Sequence, residues 1–154
     1  MIEEAFLWLG QTSGGVLLQG STAAFAATES VHIIALSLVG GTILATDLTV
    51  LGAVLKKTAP HSVFRQLRTL YVFGLILVAA SGVLLVAAGP YKYYTNPLFP
   101  VKLALLVIAV VLQAILSRRL ERQPSADRTA RGLAAVSLLL WTAVVIAGRW
   151  LGLI

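Results

Sequence analysis

The chain has 154 residues, of which 58% are hydrophobic and only 12% are charged, and its formal net charge is +6. Because soluble domains carry about 25% charged residues, a chain this apolar is expected to lie in a lipid bilayer. It contains no cysteine, which excludes disulfides and thiolate-held metal sites within the chain. The basic residues lie in short segments beside apolar runs, so we expect no nucleic-acid partner.

Residues 1–20 precede the first long apolar run and are too short and too rich in glycine to cross a bilayer. Their apolar side chains recur at helical spacing, which predicts a short helix lying along the membrane surface. We therefore predict an N-terminal interfacial segment over 1–20 and a four-helix transmembrane domain over 21–154. The recurring apolar residues are Ile2, Ala5, Phe6 and Leu9.

The first span is longer and more polar than the others. Ser21 can cap a helix that is predicted to continue to Leu55 and to stop before two lysines. Such a helix would be about 50 Å long, against about 30 Å of hydrocarbon, so it must tilt, project or break near Gly40-Gly41. The start of the span within this helix decides whether His32 or Asp47 is the deeper residue, and the sequence leaves both assignments open.

Three further apolar blocks lie at 70–88, 101–117 and 133–151, each close to the about 20 residues that cross a bilayer. Together with the first span they predict an all-α protein, a bundle of four transmembrane helices. Small residues allow membrane helices to approach closely. We expect such close contacts at Gly40, Gly41, Gly74, Ser81, Gly82 and Ala88.

The basic residues predict the orientation of the spans. Nine of the twelve fall in the segments that join span one to span two and span three to span four. By the positive-inside rule these segments face the cytoplasm, and both termini and residues 89–97 then lie outside. The nine residues are Lys56, Lys57, Arg65, Arg68, Arg118, Arg119, Arg122, Arg128 and Arg131.

Four short motifs follow one another along the chain: Glu29-Ser-Val-His32 with Gly40-Gly41, Asp47-Leu-Thr-Val-Leu51-Gly52, Asn96-Pro97-Leu98-Phe99 with Lys102, and Trp141 with Ala147-Gly148-Arg149-Trp150. In this order they resemble a bacterial membrane family of unknown function, the domain-of-unknown-function family 6644. The resemblance covers residues 20–152 and implies a four-helix protein of the bacterial inner membrane without an established activity. The family's third span often closes with an Asn and a His, where this chain has Gln113 and Ser117. That span therefore supplies no histidine to pair with His32.

Ionisable residues within a membrane span are costly, so each of them is a candidate functional residue. Glu29 and His32 lie three residues apart on one face of a helix, where they can hydrogen-bond. Near the outer side we expect Glu29 to form an ion pair with Arg149, with Lys102 close by. A second Glu-x-x-His unit is missing from the sequence, which argues against a carboxylate-bridged metal centre.

Asp47 has different neighbours, because it lies about 22 Å further along the helix than His32 and about 60° around it. Polar residues on the inner halves of other spans can reach it, as can a snorkelling Arg68 or Arg118. The polar candidates for contact with Asp47 are Gln113, Ser117 and Ser137. The predicted polar network comprises Glu29, His32, Asp47, Lys102, Gln113 and Arg149.

The sequence favours a non-enzymatic membrane subunit or small membrane bundle, embedded in lipid and assembling with itself or with a larger membrane complex. It contains no recognisable catalytic motif. The alternative is an electron-transfer protein that binds haem b through His32, since a neutral histidine in a four-helix bundle is a common haem ligand. We do not expect His61 to be a second ligand, because it lies in the predicted inner loop. A transporter is the weaker third class, because four spans offer little room for a pathway.

Overall fold

We describe residues 2–123 and 125–153 of the computed structural model, with the side chains of residues 3–123 and 125–151. These residues form seven helices and no strand. Four of the helices are long and apolar enough to cross a membrane, so the predicted all-α class with four spans is confirmed. The predicted segments also include Met1, Pro124, Ile154 and the side chain of Ile2, which lie outside the described residues. The helices are α1 Ile2–Gln11, α2 Ser13–Gly20, α3 Thr22–Val50, α4 Pro60–Ala88, α5 Pro90–Thr95, α6 Leu98–Arg122 and α7 Arg128–Leu153.

The four long helices pack as two antiparallel pairs. Helix α3 lies against α4, α6 lies against α7, and contacts between α3 and α7 join the two pairs. The α3–α4 and α6–α7 connections therefore lie at one end of the bundle, which we call the basic end because it carries the nine basic residues of those connections. The other end, which carries α1, α2 and α5, is called the terminal end.

Helix α3 begins as predicted and ends earlier than predicted. The Ser21 side chain caps it by accepting a hydrogen bond of 3.2 Å from the Ala24 N–H. The helix then runs unbroken for 29 residues, so the suggested break at Gly40-Gly41 is wrong. It ends at Val50 rather than at Leu55, because Gly52 adopts a φ of +76° and turns the chain.

The other three spans are longer than their apolar blocks. Helix α4 starts at Pro60, ten residues before the predicted span, and proline is well suited to the first turn because it lacks an N–H. Helix α6 continues to Arg122, and α7 starts at Arg128. The additional turns carry arginines, whose long side chains can reach the headgroups from a helix end. Hydropathy therefore locates the hydrocarbon part of each helix and not its ends.

Only some of the small residues lie at helix contacts. A Cβ placed on Gly74 would lie 2.9 Å from the Val39 Cγ2 atom, and one on Gly82 would lie 3.4 Å from the His32 Cε1 atom. Both glycines therefore let α4 approach α3 closely. No described atom lies within 4 Å of a Cβ placed on Gly40 or Gly41. The expected close contact at those two positions is therefore absent among the described residues of this chain: Gly40 is half-buried and Gly41 is exposed.

The N-terminal residues fold over the terminal end as two short helices. The Gln19 Nε2 atom donates to the Ala87 carbonyl at 2.9 Å and so ties α2 to the end of α4. Aromatic rings connect α1 to α5 and α6, with centroid distances of 6.0 Å from Phe6 to Tyr94 and 5.8 Å from Phe6 to Phe99. The position of this segment at a membrane surface stays a prediction.

Candidate functional site

A buried hydrogen-bonded cluster joins three of the four spans. Gln113 on α6 donates from Nε2 to the Asp47 Oδ1 atom at 3.3 Å, and the Ser137 hydroxyl on α7 donates to the Gln113 Oε1 atom at 2.7 Å. Asp47 and Ser137 are both 0% exposed, and Gln113 is 1% exposed. We call these three residues the Asp47 cluster. The hydroxyl of Ser117 instead donates to the backbone carbonyl of Gln113.

The partners of Asp47 fix its depth in the bundle. Gln113 lies nine residues before the end of α6, and Ser137 lies nine residues after the start of α7. At 1.5 Å per residue, the Asp47 cluster is about 14 Å inside the basic end of both helices. Asp47 is near the end of its own helix, yet it is enclosed because the neighbouring helices extend beyond α3.

The Asp47 carboxyl group is incompletely paired. Its Oδ2 atom is buried without a hydrogen-bond partner among the described residues, and the same is true of the Tyr71 hydroxyl and the Trp141 Nε1 atom. Arg68 and Arg118, the cations expected within reach, are exposed, and neither forms an ion pair with Asp47. Among the partners predicted for Asp47, it is therefore the side-chain amide of Gln113 that donates a hydrogen bond to the carboxyl group.

A second cluster lies on α3 and α4, nearer to the terminal end. The His32 Nδ1 atom is 2.8 Å from the Ser81 Oγ atom, and Ser81 donates its own proton to the Leu77 carbonyl. Ser81 must therefore accept the bond from Nδ1–H, which leaves the lone pair of Nε2 free to accept a proton or bind a metal. We call His32 and Ser81 the His32 cluster.

The described surroundings of His32 give no support to a haem site. The ring packs towards Gly82, and His32 lines neither of the two clefts seen at the terminal end. His61 cannot serve as an opposite ligand, since it lies twenty residues before Ser81 on α4, a distance of about 30 Å. Within the described residues, no three histidine, aspartate or glutamate side chains come together to hold a metal.

The remaining predicted residues lie around the His32 cluster. Glu29 is exposed. The charges of Glu29 and of Lys102 both lie close enough to His32 to interact with its imidazole ring. Lys102 is half-buried, with its Nζ atom 3.3 Å from the position of a Cβ on Gly148. No ion pair joins Glu29 to Arg149 or to Lys102 among the described residues. The six predicted residues thus lie in two groups at different depths.

At the terminal end, the charge of Glu29 on α3 acts on a side chain of α5. Burial, together with the charge of Glu29, raises the pKa of the Tyr93 phenol. This places the Glu29 carboxylate near α5, at the terminal end of the bundle. An exposed glutamate at that level can stay hydrated, which explains how it is tolerated without an ion pair.

Two contributing residues were missed by sequence reasoning about sites. The sequence marks Ser81 only as a small residue suited to helix packing, and it does not show that Ser81 on α4 contacts His32 on α3. Asp127 caps α7, accepting from the Ala130 N–H at 2.8 Å, and it forms an ion pair of 2.6 Å with Arg119. An aspartate just before an apolar helical run is a recognisable capping residue, so the sequence did contain that information.

Comparison with known proteins agrees with the resemblance of the motifs. The chain has no significant match among curated proteins or solved structures. A family model described as "Family of unknown function (DUF6644)" matches residues 2–154, which is almost the whole chain. The chain therefore belongs to this family of unknown function.

Proposed function

We propose that the chain is a non-enzymatic subunit of the bacterial cytoplasmic membrane, with both termini outside, whose intramembrane polar groups hold its helices together. One observation carries the proposal: both polar atoms of the Gln113 side chain are used in hydrogen bonds to other helices. His32 and Ser81 likewise join α3 to α4. Polar side chains that bond across helices act as connections within a membrane bundle.

The outward side of α3 supports assembly with a second copy or a larger membrane complex. Ser30, Ser37 and Gly41 lie exposed along this side, and both serine hydroxyls bond to carbonyls of their own helix. Large apolar side chains are exposed beside them, such as Ile34 and Leu44, as they are on α4, α6 and α7. Small residues with satisfied hydroxyls let a further helix approach closely, so α3 is the proposed assembly helix.

The variant Gln113→Leu tests the structural role. It removes the amide and leaves the Asp47 Oδ1 and Ser137 Oγ atoms without their partner, so we expect a loss of about 1–2 kcal/mol in the free energy of unfolding. Unfolding of the purified chain in mixed detergent measures this loss. Gln66→Leu is the matched control, because Gln66 is exposed on α4. Equal stability of the two variants would contradict the proposal and leave Gln113 free for another role.

A further inference from the structure

The Asp47 cluster has fewer hydrogen bonds than a buried carboxylate needs. An ionised carboxylate accepts at two oxygens, yet the bond of 3.3 Å from Gln113 reaches only Oδ1. Oδ2 has no partner among the described residues, although Asp47 is 0% exposed. Buried polar atoms are nearly always paired, so an unpaired oxygen on a group that can ionise requires an explanation.

No cation faces this carboxyl group. From α4 the titratable neighbour is Tyr71, whose own hydroxyl is buried without a partner, and α6 and α7 contribute the uncharged Gln113 and Ser137. On α3 itself the nearest titratable side chain towards the terminal end is His32, about 22 Å away along the helix. The basic residues nearest in sequence to these neighbours are Arg68, Arg118 and Arg131, and all three are exposed.

The arrangement of donors also disfavours a bound metal cation. Gln113 directs its NH2 group, a donor, at the carboxyl group, and its carbonyl oxygen already accepts from Ser137. A hard cation such as sodium would need several oxygen atoms turned towards it instead. A proton neutralises the carboxylate and needs no shell of oxygen atoms around it, so it is the ligand that fits this carboxyl group.

We propose that Asp47 is a proton-binding site of the membrane domain and carries a proton on Oδ2 in the folded bundle. Oδ1 is then the carbonyl oxygen, which accepts from Gln113, and Oδ2 is the hydroxyl oxygen. The proton exchanges with water at the basic end, about 14 Å away along α6 and α7. Protonation removes the cost of an unpaired charge in a bilayer. This inference does not rest on the assembly or the orientation of the chain.

Infrared spectroscopy of the chain in lipid at pH 7 tests the inference directly. The wild type should show the C=O stretch of a protonated carboxylic acid, shifted by deuterium exchange, and Asp47→Asn should remove it. Asp127→Asn is the control, because Asp127 is a carboxylate in an ion pair near the helix ends. Loss of a carboxylate band in the Asp47→Asn variant, with no change in the carboxylic acid band, would overturn the proposal.

Stability gives an independent readout. Asparagine resembles a neutral aspartic acid in shape and can still accept from Gln113, so Asp47→Asn should fold, match the stability of the wild type near pH 4 and exceed it at pH 7. Above about pH 4 an exposed aspartate is ionised, so the folded wild type holds one proton more than the unfolded chain. Its unfolding equilibrium constant should therefore rise with pH, by up to about tenfold per unit, relative to that of the variant.

Two results in the same titration would contradict a protonated Asp47. One is a difference between wild type and variant that stays constant from pH 5 to pH 9. The other is a stabilisation of the wild type alone when sodium replaces choline at constant ionic strength, which would identify a metal cation as the ligand.

Discussion

Asp127 shows how one side chain can connect two long helices at the basic end of the bundle. Its carboxylate accepts from the first turn of α7 and forms an ion pair with Arg119 near the end of α6. The hydrogen bond from Arg119 lowers the pKa of Asp127. A carboxyl group with a lowered pKa in the folded state stabilises the fold above its unfolded pKa, and this contribution is lost as the pH falls through the folded value.

The variant Asp127→Asn isolates that charge, because asparagine can still cap α7. We expect the wild type to be the more stable at pH 7 and the difference to disappear as the pH is lowered below about 3.9, the value for an unfolded aspartate. Thermal unfolding in detergent measures the difference at each pH. Glu121→Gln, at an exposed position of α6, is the control. A difference that does not change with pH would show that the ion pair does not stabilise the fold.

Among single residues, the sequence predicted which polar side chains lie in the spans and left their partners undecided. Gln113 and Ser137 were two of several polar residues that could reach Asp47, and the structure selects the amide of Gln113. Ser81 could not be assigned to His32, because the two residues belong to different helices. A hydrogen bond between helices depends on their relative rotation and translation, which hydropathy does not contain.

Helix α3 illustrates which features of an element follow from local sequence. Its start at Ser21 depends on one capping hydrogen bond, which a sequence pattern can predict. Its end depends on Gly52: the Gly52 N–H donates to the Thr49 carbonyl at 3.0 Å and the Ala53 N–H to the Leu48 carbonyl at 2.9 Å. A glycine just after an apolar run is a known helix-ending pattern, so this boundary was predictable in principle.

Gly74 on α4 is closely packed, whereas Gly40 on α3 faces open space. Substitution by alanine should therefore change the stability differently at the two positions. Gly74→Ala should lower the thermal stability, since its Cβ would lie 2.9 Å from Val39, which is 1% exposed and has little room to move. Gly40→Ala should leave the stability unchanged or raise it, because its Cβ meets open space and alanine favours a helix by up to about 1 kcal/mol. Unfolding of both variants in the same detergent makes the comparison. Equal losses would mean that α3 and α4 do not pack closely at Gly74.

For the molecule as a whole, the absence of cysteine permits a direct test of orientation and assembly. A single cysteine at Tyr93 should react with an impermeant reagent added to intact cells, whereas one at Arg122 should not, because the basic end is expected to face the cytoplasm. A cysteine at Ser37 should form cross-links between copies if α3 is a self-assembly helix. Labelling at position 122 alone would reverse the orientation, and the absence of cross-links at position 37 would exclude self-assembly through α3.

The sequence by itself determined the class of the protein, its four spans and the end of the bundle at which the basic residues lie. These features follow from the cost of placing charges and unpaired backbone groups in lipid, a cost that each segment meets locally. Only the tertiary structure decided that Asp47 meets Gln113 and that His32 meets Ser81. Those contacts depend on how α3 is rotated and shifted against its neighbours, which the packing of all four helices sets together.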